Sequence, residues 1–378
     1  MLTYRTALPS EREAYIAFAN EVFTGSVGQP FHFDTLIPKV YGPQADTAEL
    51  QYLAVDDEKG IRALIATLPG EMPIGDITLK TGYIGTVSAH PEARGEGHMK
   101  RLMQLNLERM QSNGTDLALL GGQRQRYSYF GYEPAGLCMQ FSFGQRMARH
   151  ALADADITNL TFQEILPGTP LEAEAAALCR TQPCYMDRDA LGFATVACSY
   201  HNPPYAALQN GRFLGYVICD SEKLVAMELL AVSPLAYDQI IKGWLTLHQL
   251  KTFVALIPGW NTPLVNHLWE YAEGVRATTC VQARILNYPK VAEALLRLKA
   301  LYTPLEDGEL ALETDGCAFT LQVKDGQVSA REGAEQPQKL SHRELHRLLL
   351  DPFYPQAQSL APRGWFPLPL YISTPDGF

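Results

Sequence analysis

Two short stretches of this chain hold residue types, at spacings, that could do chemistry. The first is Val87-Ser88-Ala89-His90-Pro91-Glu92-Ala93-Arg94-Gly95-Glu96-Gly97, a strand feeding a glycine loop, with a helix opening behind it at His98 and Met99. Glycines at 95 and 97 let successive backbone amides turn toward one anion with no Cβ in the way. The helix adds unsatisfied N-terminal amides and the positive end of its dipole, and Arg94 brings a full charge to the loop. That is the chemistry of a pyrophosphate cradle. A strand that splays from its neighbour could also offer backbone groups at Val87 and Ala89 to the amides of a pantetheine arm. Taken alone, the same pattern describes an ordinary strand-to-helix turn. It is neither a dinucleotide fingerprint, because Lys100 stands where a third small residue is required, nor a P-loop, because no Gly-Lys-Ser/Thr follows.

The second stretch is Tyr127-Ser128-Tyr129-Phe130-Gly131-Tyr132-Glu133-Pro134. A phenol beside a departing thiolate can protonate it, and a separate base would take the proton of an attacking amine. The bland alternative for any one tyrosine is a core aromatic with a bonded hydroxyl, and it is expected to hold for at least two of these three.

Other candidates carry less. His342-Arg343-Glu344-Leu345-His346 spaces two histidines four apart, but the glutamate comes one residue too late for a zinc protease. A solvated helix face is the expectation, and no metal site is predicted. His90 and His98 flank the glycine loop, yet neither spacing nor context marks either as a base. Trp244, Trp260 and Trp269 read as packing residues. The seven cysteines form no Cys-x-x-Cys pair and read as reduced thiols.

These residues need elements to position them. Ser10-Glu11-Arg12-Glu13 reads as a capping box, with the chain passing from Met1 straight into a helix whose apolar face is Ala14, Ile16, Ala17, Ala19 and Phe23. Strand-like runs follow at 50–55, 61–68 and 77–89. The helix after Gly97 carries Met99, Met103, Leu107 and Met110 and stops at Asn113-Gly114, and a short buried strand spans 117–120. The middle of the chain repeats this order: strands at 205–208 and 213–219 around Asn210-Gly211, a strand at 224–232, a helix at 236–250 and a strand at 253–257. Its strand-to-helix connection, Ser233-Pro234-Leu235, has neither a glycine pair nor an arginine, so a duplicate there has lost the anion loop. The last part has a helix at 291–302, strands at 309–313, 318–323 and 327–331, and a capping box at Ser341-His342-Arg343-Glu344.

A chain of 378 residues is expected to form two or three domains, and 47% hydrophobic residues are enough for buried cores. The net charge of −10 disfavours a nucleic-acid partner and favours a cationic substrate. No apolar run is long enough to span a bilayer and no signal pattern opens the chain, so no membrane association and a cytoplasmic location are expected.

Together, Val87–Gly97 and the Tyr127–Tyr132 stretch about thirty residues later resemble the GNAT acetyltransferases, and more narrowly their Eis-like (enhanced intracellular survival) branch. The resemblance covers essentially the whole chain and implies an α+β fold. Residues 1–145 would be a catalytic GNAT domain and 146–282 a degenerate GNAT-like domain, each a mixed, mostly antiparallel sheet flanked by helices. Residues 283–378 would be a sterol-carrier-protein-like α/β domain. It implies acetyl-CoA as co-substrate, no metal, and direct acetyl transfer to an amine (aminoglycoside, polyamine or lysine side chain). By position, Tyr127 would be the general acid. Arg94, Gly95, Glu96, Gly97, His98 and Met99 would line the pyrophosphate, Val87, Ser88 and Ala89 the pantetheine, and Gly122 and Gln123 a further cofactor contact. The family uses the chain's own C-terminal carboxylate as base, and this chain ends Asp376-Gly377-Phe378. Met99 stands where GNAT enzymes at large carry Gly or Ala, which is common in the narrower branch. The acidic residues that hold polycations in the family have Asp34 and Asp376 as their nearest counterparts. The family also implies a homo-oligomer, a hexamer in many members. The alternative is a non-catalytic ligand-binding or regulatory protein using the C-terminal domain or a vestigial acetyl-CoA site.

Overall fold

A computed structural model of the chain describes residues 1–378, apart from the side chain of Gln358. The first sheet is built from β1 (Leu2–Thr6), β2 (Gln51–Asp56), β3 (Gly60–Ile74), β4 (Ile77–Ala89), β5 (Leu117–Leu120) and β6 (Glu133–Ala135). The second uses β7 (Cys138–Gly144), β8 (Leu160–Glu164), β9 (Pro204–Gln209), β10 (Arg212–Cys219), β11 (Val225–Ala231), β12 (Thr252–Pro258) and β13 (Gly274–Thr278). With β14 (Val281–Ile285), the first sheet has the order β1-β2-β3-β4-β5-β14-β6, and the second, read from its far edge, β8-β9-β10-β11-β12-β7-β13. The two orders correspond place for place. In each, one pair is parallel, β4 with β5 and β11 with β12. The sixth place is exchanged: β14 follows the second sheet in sequence but completes the first, and β7 follows β6 but completes the second.

Helices α1 (Arg12–Val27) and α2 (His98–Ser112) cover opposite faces of the first sheet. This double cover explains why β5 reads Leu-Ala-Leu-Leu without alternation: Leu117 and Leu119 enter the core on the α1 side, Ala118 and Leu120 the core on the α2 side. On the second sheet, α3 (Pro170–Arg180) and α4 (Pro234–Leu247) take the corresponding places. The hairpin at Asn210-Gly211 forms as the sequence predicts, both residues having positive φ (51° and 78°).

The last part of the chain has α5 (Tyr288–Ala300), then β15 (Gly308–Thr314), β16 (Cys317–Lys324), β17 (Gln327–Glu332) and β18 (Gln338–Lys339) in the order β17-β16-β15-β18, and α6 (His342–Leu350). Helix α5 lies between this third sheet and strands β3 and β4 of the first. Its Leu295 and Leu298, with Leu312, Phe319, Leu345 and Trp365, share one continuous core with Tyr15, Leu64 and Ala66. The third sheet is therefore packed through α5 onto the first.

The structure corrects four expectations. The chain opens with strand β1, not with the helix. Glu11, not the pair Ser10 and Glu13, works at the start of α1: its carboxylate accepts from the Leu8 amide (2.7 Å) and pairs with Arg5 (2.6 Å). The buried face of α1 is Tyr15, Phe18, Ala19 and Val22, with Ile16 and Phe23 at its margin, because the large aromatics carry more apolar area than Ala14 and Ala17, which stay exposed. The α6 histidines are not a solvated face. His346 is 1% exposed, and His346 and His342 bond the carbonyls of Pro134 and Gly131, tying α6 to the first sheet. Burial lowers the His346 pKa to about 4, so it stays neutral.

Candidate active site

The site is an opening in the first sheet. Parallel pairing of β4 with β5 ends at Ile84 and Leu120, whereas β4 continues to Ala89 beside β3. From Gly85 to Ala89 the backbone groups on the β5 side therefore have no strand partner. A bulge opens the gap: Ala66 opposes Gly85 but Leu64 opposes Ser88, and Thr86 takes the left-handed conformation (φ 50°). The extra residue shifts the alternation of side chains. Ile84, Val87 and Ala89 consequently share the α2 face, which regular pleating would forbid. Ser88 is 5% exposed, and its hydroxyl donates to the Thr86 carbonyl (3.2 Å), so only its backbone is free for a ligand.

Beyond Ala89 the chain enters the glycine loop. Gly95 and Gly97 both have positive φ (89° and 84°), with open space where a Cβ would sit. Gly97 begins α2 without any side-chain cap, and no acidic residue occupies the first turn. The helix thus presents unsatisfied amides at the loop. Arg94 is exposed in the loop and Lys100 and Arg101 in the first turn of α2, beside the exposed acids Glu92 and Glu96. His98 is no base: it is 5% exposed, and its two ring nitrogens lie 2.8 Å from the Tyr4 hydroxyl and 2.8 Å from the Glu96 carboxylate. Its ring fixes the loop to β1, which also occupies the Glu96 side chain. Met99 is half-buried against the α2 core. Replacing Arg94 with alanine is expected to raise KM for a diphosphate-bearing cofactor by roughly 3- to 10-fold, with kcat little changed, since one exposed charge-assisted bond is lost. Steady-state kinetics against cofactor concentration check this.

The three tyrosines separate. Tyr132 is fully buried in the core, and Tyr129 is 67% exposed with the Lys100 ammonium 5.1 Å from its ring centroid. Tyr127 and Tyr132 both belong to the α2-side core, although the Tyr132 hydroxyl has no hydrogen-bond partner among the described residues. Tyr127 ends the short helix Arg124–Tyr127, is 7% exposed, and packs on Gly122 just past the end of β5. A Cβ at Gly122 would lie 2.7 Å from that ring, and the residue's φ of 143° also suits only glycine. Burial raises the Tyr127 pKa above that of a free phenol, with Arg126 a smaller opposing influence. The Gly122 carbonyl accepts from the Gln282 side chain of β14, and Gln123 is exposed beside it. Gly122→Ala is expected to displace the Tyr127 ring and lower kcat about tenfold, without an equal change in cofactor affinity; calorimetry beside kinetics tests it.

On the opposite face, the C-terminus reaches the same opening. Phe378 is 7% exposed in the α1-side core, and a Cβ at Gly85 would stand 2.7 Å from its ring and 2.8 Å from its carboxyl carbon. Gly85 is the first β4 residue past the last β4–β5 pair, so the terminal carboxylate sits at the mouth of the gap. The buried Lys39 holds the approach, donating to the carbonyls of Pro375 (2.6 Å) and Gly377. Burial lowers its pKa to about 7, with Asp376 pushing back up. Tyr41 reaches the Thr86 hydroxyl (2.8 Å), and its ring centroid lies 6.2 Å from that of Phe378. Sequence reasoning missed Lys39, Tyr41 and Gly85. Gly85 alone carried a signal, since glycine inside a strand marks close approach of another group.

Gly122 and Tyr127 thus come together with Gly85–Ala89, the glycine loop and Phe378 around one gap. Asp34 is exposed on the short helix Phe33–Leu36. Among the described residues no group of acidic, histidine or cysteine side chains could hold a metal ion, and no helix is long and apolar enough to cross a membrane.

A parallel strand pair that splays at a bulge, followed by a glycine loop on an uncapped helix, offers unpaired backbone and an anion-binding turn side by side. Residues 3–135 match the family model of the acetyltransferase (GNAT) domain, so the first sheet and its helices carry a GNAT domain. Particular solved structures resemble the whole chain. A GCN5-related N-acetyltransferase from Anabaena variabilis is 17% identical (TM-score 0.69), with 95% of this chain and 92% of that one covered. A conserved protein of unknown function from Enterococcus faecalis, described as a probable N-acyltransferase, is 15% identical (TM-score 0.61; 91% and 88% covered). Eis1 from Mycobacterium abscessus is 16% identical, with a TM-score of 0.65 and 100% of each chain covered. At these identities the likeness is one of fold. No curated protein matches by sequence.

Proposed function

We propose that this chain is an Eis-like N-acetyltransferase that moves an acetyl group from acetyl-CoA directly to an amine. The observation that carries the reading is the seat of the Phe378 carboxyl against Gly85, at the mouth of a gap whose other face holds Tyr127. The fit to acetyl-CoA rests on the positive φ of Gly95 and Gly97, the uncapped start of α2, the exposed Arg94, Lys100 and Arg101, and unpaired backbone beyond Ile84. Arg94 and the amides from Gly95 to Met99 would hold the pyrophosphate. The backbone of Val87, Ser88 and Ala89 would take the pantetheine arm, with a further contact at Gly122 and Gln123. When bound, acetyl-CoA supplies an acyl group already activated as a thioester.

The residues of the chain then have distinct tasks. The Phe378 carboxylate accepts a proton from the incoming ammonium, leaving the amine lone pair free. Unpaired amides on β4 near Val87 steady negative charge on the carbonyl oxygen. Tyr127, a phenol protonated at neutral pH whose pKa burial raises further, donates its proton to the leaving thiolate.

The coarser features follow from the same reading. Residues 146–282 form a second, degenerate GNAT-like domain, and residues 283–378 a sterol-carrier-like domain that delivers the C-terminus. A cationic acceptor (aminoglycoside, polyamine or lysine side chain), a cytoplasmic location and homo-oligomeric assembly rest on charge and family resemblance. The test is acetyl-CoA titration by calorimetry, followed by a panel of amines scored for CoA release. Binding together with amine-dependent release is expected; a chain that does not bind acetyl-CoA sinks the proposal.

A further inference from the structure

The second sheet repeats the device that opens the first. Parallel pairing of β11 with β12 ends at Ala226 and Ala255, although both strands run on, and a bulge follows at once, Ile218 opposing Glu228 while Cys219 opposes Ala226. No cofactor loop serves this second gap. The helix beyond it, α4, begins at Pro234 and is capped by Ser233, whose hydroxyl accepts from the Ala236 amide (3.2 Å). An anion arriving there would find one amide absent and another satisfied.

The gap is nevertheless filled, by the chain's own end. Tyr371, Ser373 and Asp376 line it together with Glu228, Leu256 and Pro258, leaving a cavity of only about 50 Å³. The Ser373 hydroxyl reaches the carbonyl of Met227, the bulge residue (3.5 Å). Arg188, from the segment after α3, closes the arrangement. It donates to both carboxylate oxygens of Asp376 (2.7 and 2.9 Å) and both of Glu228 (3.0 and 2.7 Å). The Tyr216 hydroxyl adds a bond to Glu228 (2.5 Å). Arg188, Glu228 and Asp376 are each at most 9% exposed. Glu228 and Asp376 thus share one guanidinium in a site that water does not screen, where burial raises the Asp376 pKa and Arg188 opposes that rise.

We propose that the gap in the second sheet is a cofactor slot converted into a clamp for the C-terminal tail, in which Arg188 is a positioning residue that sets the Phe378 carboxylate at the first gap. The proposal rests on the function assigned above only for the use made of that carboxylate. Asp376 is two residues from Phe378, so gripping it from the second unit, while Lys39 of the first unit grips Pro375 and Gly377, leaves the last residue little freedom. This gives the second unit a catalytic purpose without chemistry of its own.

The test uses the full chain with Asp376→Asn and Arg188→Met. Each is scored by KM and kcat for acetyl transfer, and by the rate at which carboxypeptidase releases Phe378 from the folded protein. Loss of one partner of a buried pair should free the tail: release about tenfold faster or more, kcat down by about tenfold or more, and KM for acetyl-CoA within about twofold. Arg188→Lys should recover part of both effects. Asp376→Asn preserves side-chain shape and leaves Arg188 paired with Glu228, so it decides the matter if Arg188→Met does not fold. Unchanged release of Phe378 overturns the clamp whatever the activity. Faster release with unchanged kcat instead overturns the base role of Phe378 and leaves the clamp standing.

Discussion

Replacing Tyr127 with phenylalanine is expected to lower kcat for acetyl transfer by about 10²- to 10⁴-fold, the range for loss of a positioned general acid. The ring itself does structural work by packing on Gly122, and phenylalanine keeps that contact. KM for acetyl-CoA should therefore stay within about threefold, which separates a lost proton donor from a damaged site. The pH profile gives a second readout. Burial raises the Tyr127 pKa, so its acid form persists to a higher pH than a free phenol would allow. The wild-type alkaline limb should accordingly fall above the ordinary tyrosine range, and it should vanish in the variant. A Tyr127→Phe enzyme that turns over at near wild-type rate removes this residue from the mechanism.

Appending one residue after Phe378 should be almost as damaging. The addition turns the terminal carboxylate into a neutral amide and moves the charge by about 3.8 Å, one residue's length of chain. The aromatic ring can keep its place against Gly85 and Tyr41, and the tail its bonds to Lys39 and Arg188. Folding and acetyl-CoA binding should therefore be close to unchanged while kcat falls by about 10²-fold, as for loss of a general base. Gly85→Ala is a useful companion. It leaves the carboxylate chemically intact, but its Cβ would approach the Phe378 carboxyl carbon to 2.8 Å and displace it. A smaller loss of about tenfold is expected from that misplacement. Wild-type kcat in both variants would show that the base lies elsewhere.

The glycine loop and the packing of Tyr127 have local signals in the sequence. Gly95 and Gly97 require positive φ, α2 follows within one residue, and Tyr127 packs on a glycine five residues before it. The strand at 77–89, the strand at 117–120 and the stop at Asn113-Gly114 formed where periodicity and turn chemistry put them. The start of the chain was misread because β1 is an edge strand of five residues without full burial, too short for an alternating pattern to stand out. The histidines of α6 were misread because spacing along a helix says which residues share a face, and only packing says what that face meets.

The exchange of β7 and β14 was beyond sequence reading for a further reason. β7 pairs with β12 and β14 with β5, contacts between segments more than a hundred residues apart that no local pattern marks. The same holds for the tail. Residue types at 376–378 could suggest a terminal carboxylate as base only through resemblance to a family. Lys39, Arg188 and Glu228 lie far from those residues in sequence, in three separate segments, and no pattern marks them. The sequence by itself carried the glycine turn at 95 and 97, the helix behind it and the repeated order of elements, because these rest on local backbone conformation and periodicity. Tertiary structure alone decided that the second sheet's gap closes on the C-terminus and that Phe378 arrives at Gly85. Those contacts join residues up to 338 positions apart, and their energy comes from burial and charge pairing that exist only once the units have docked.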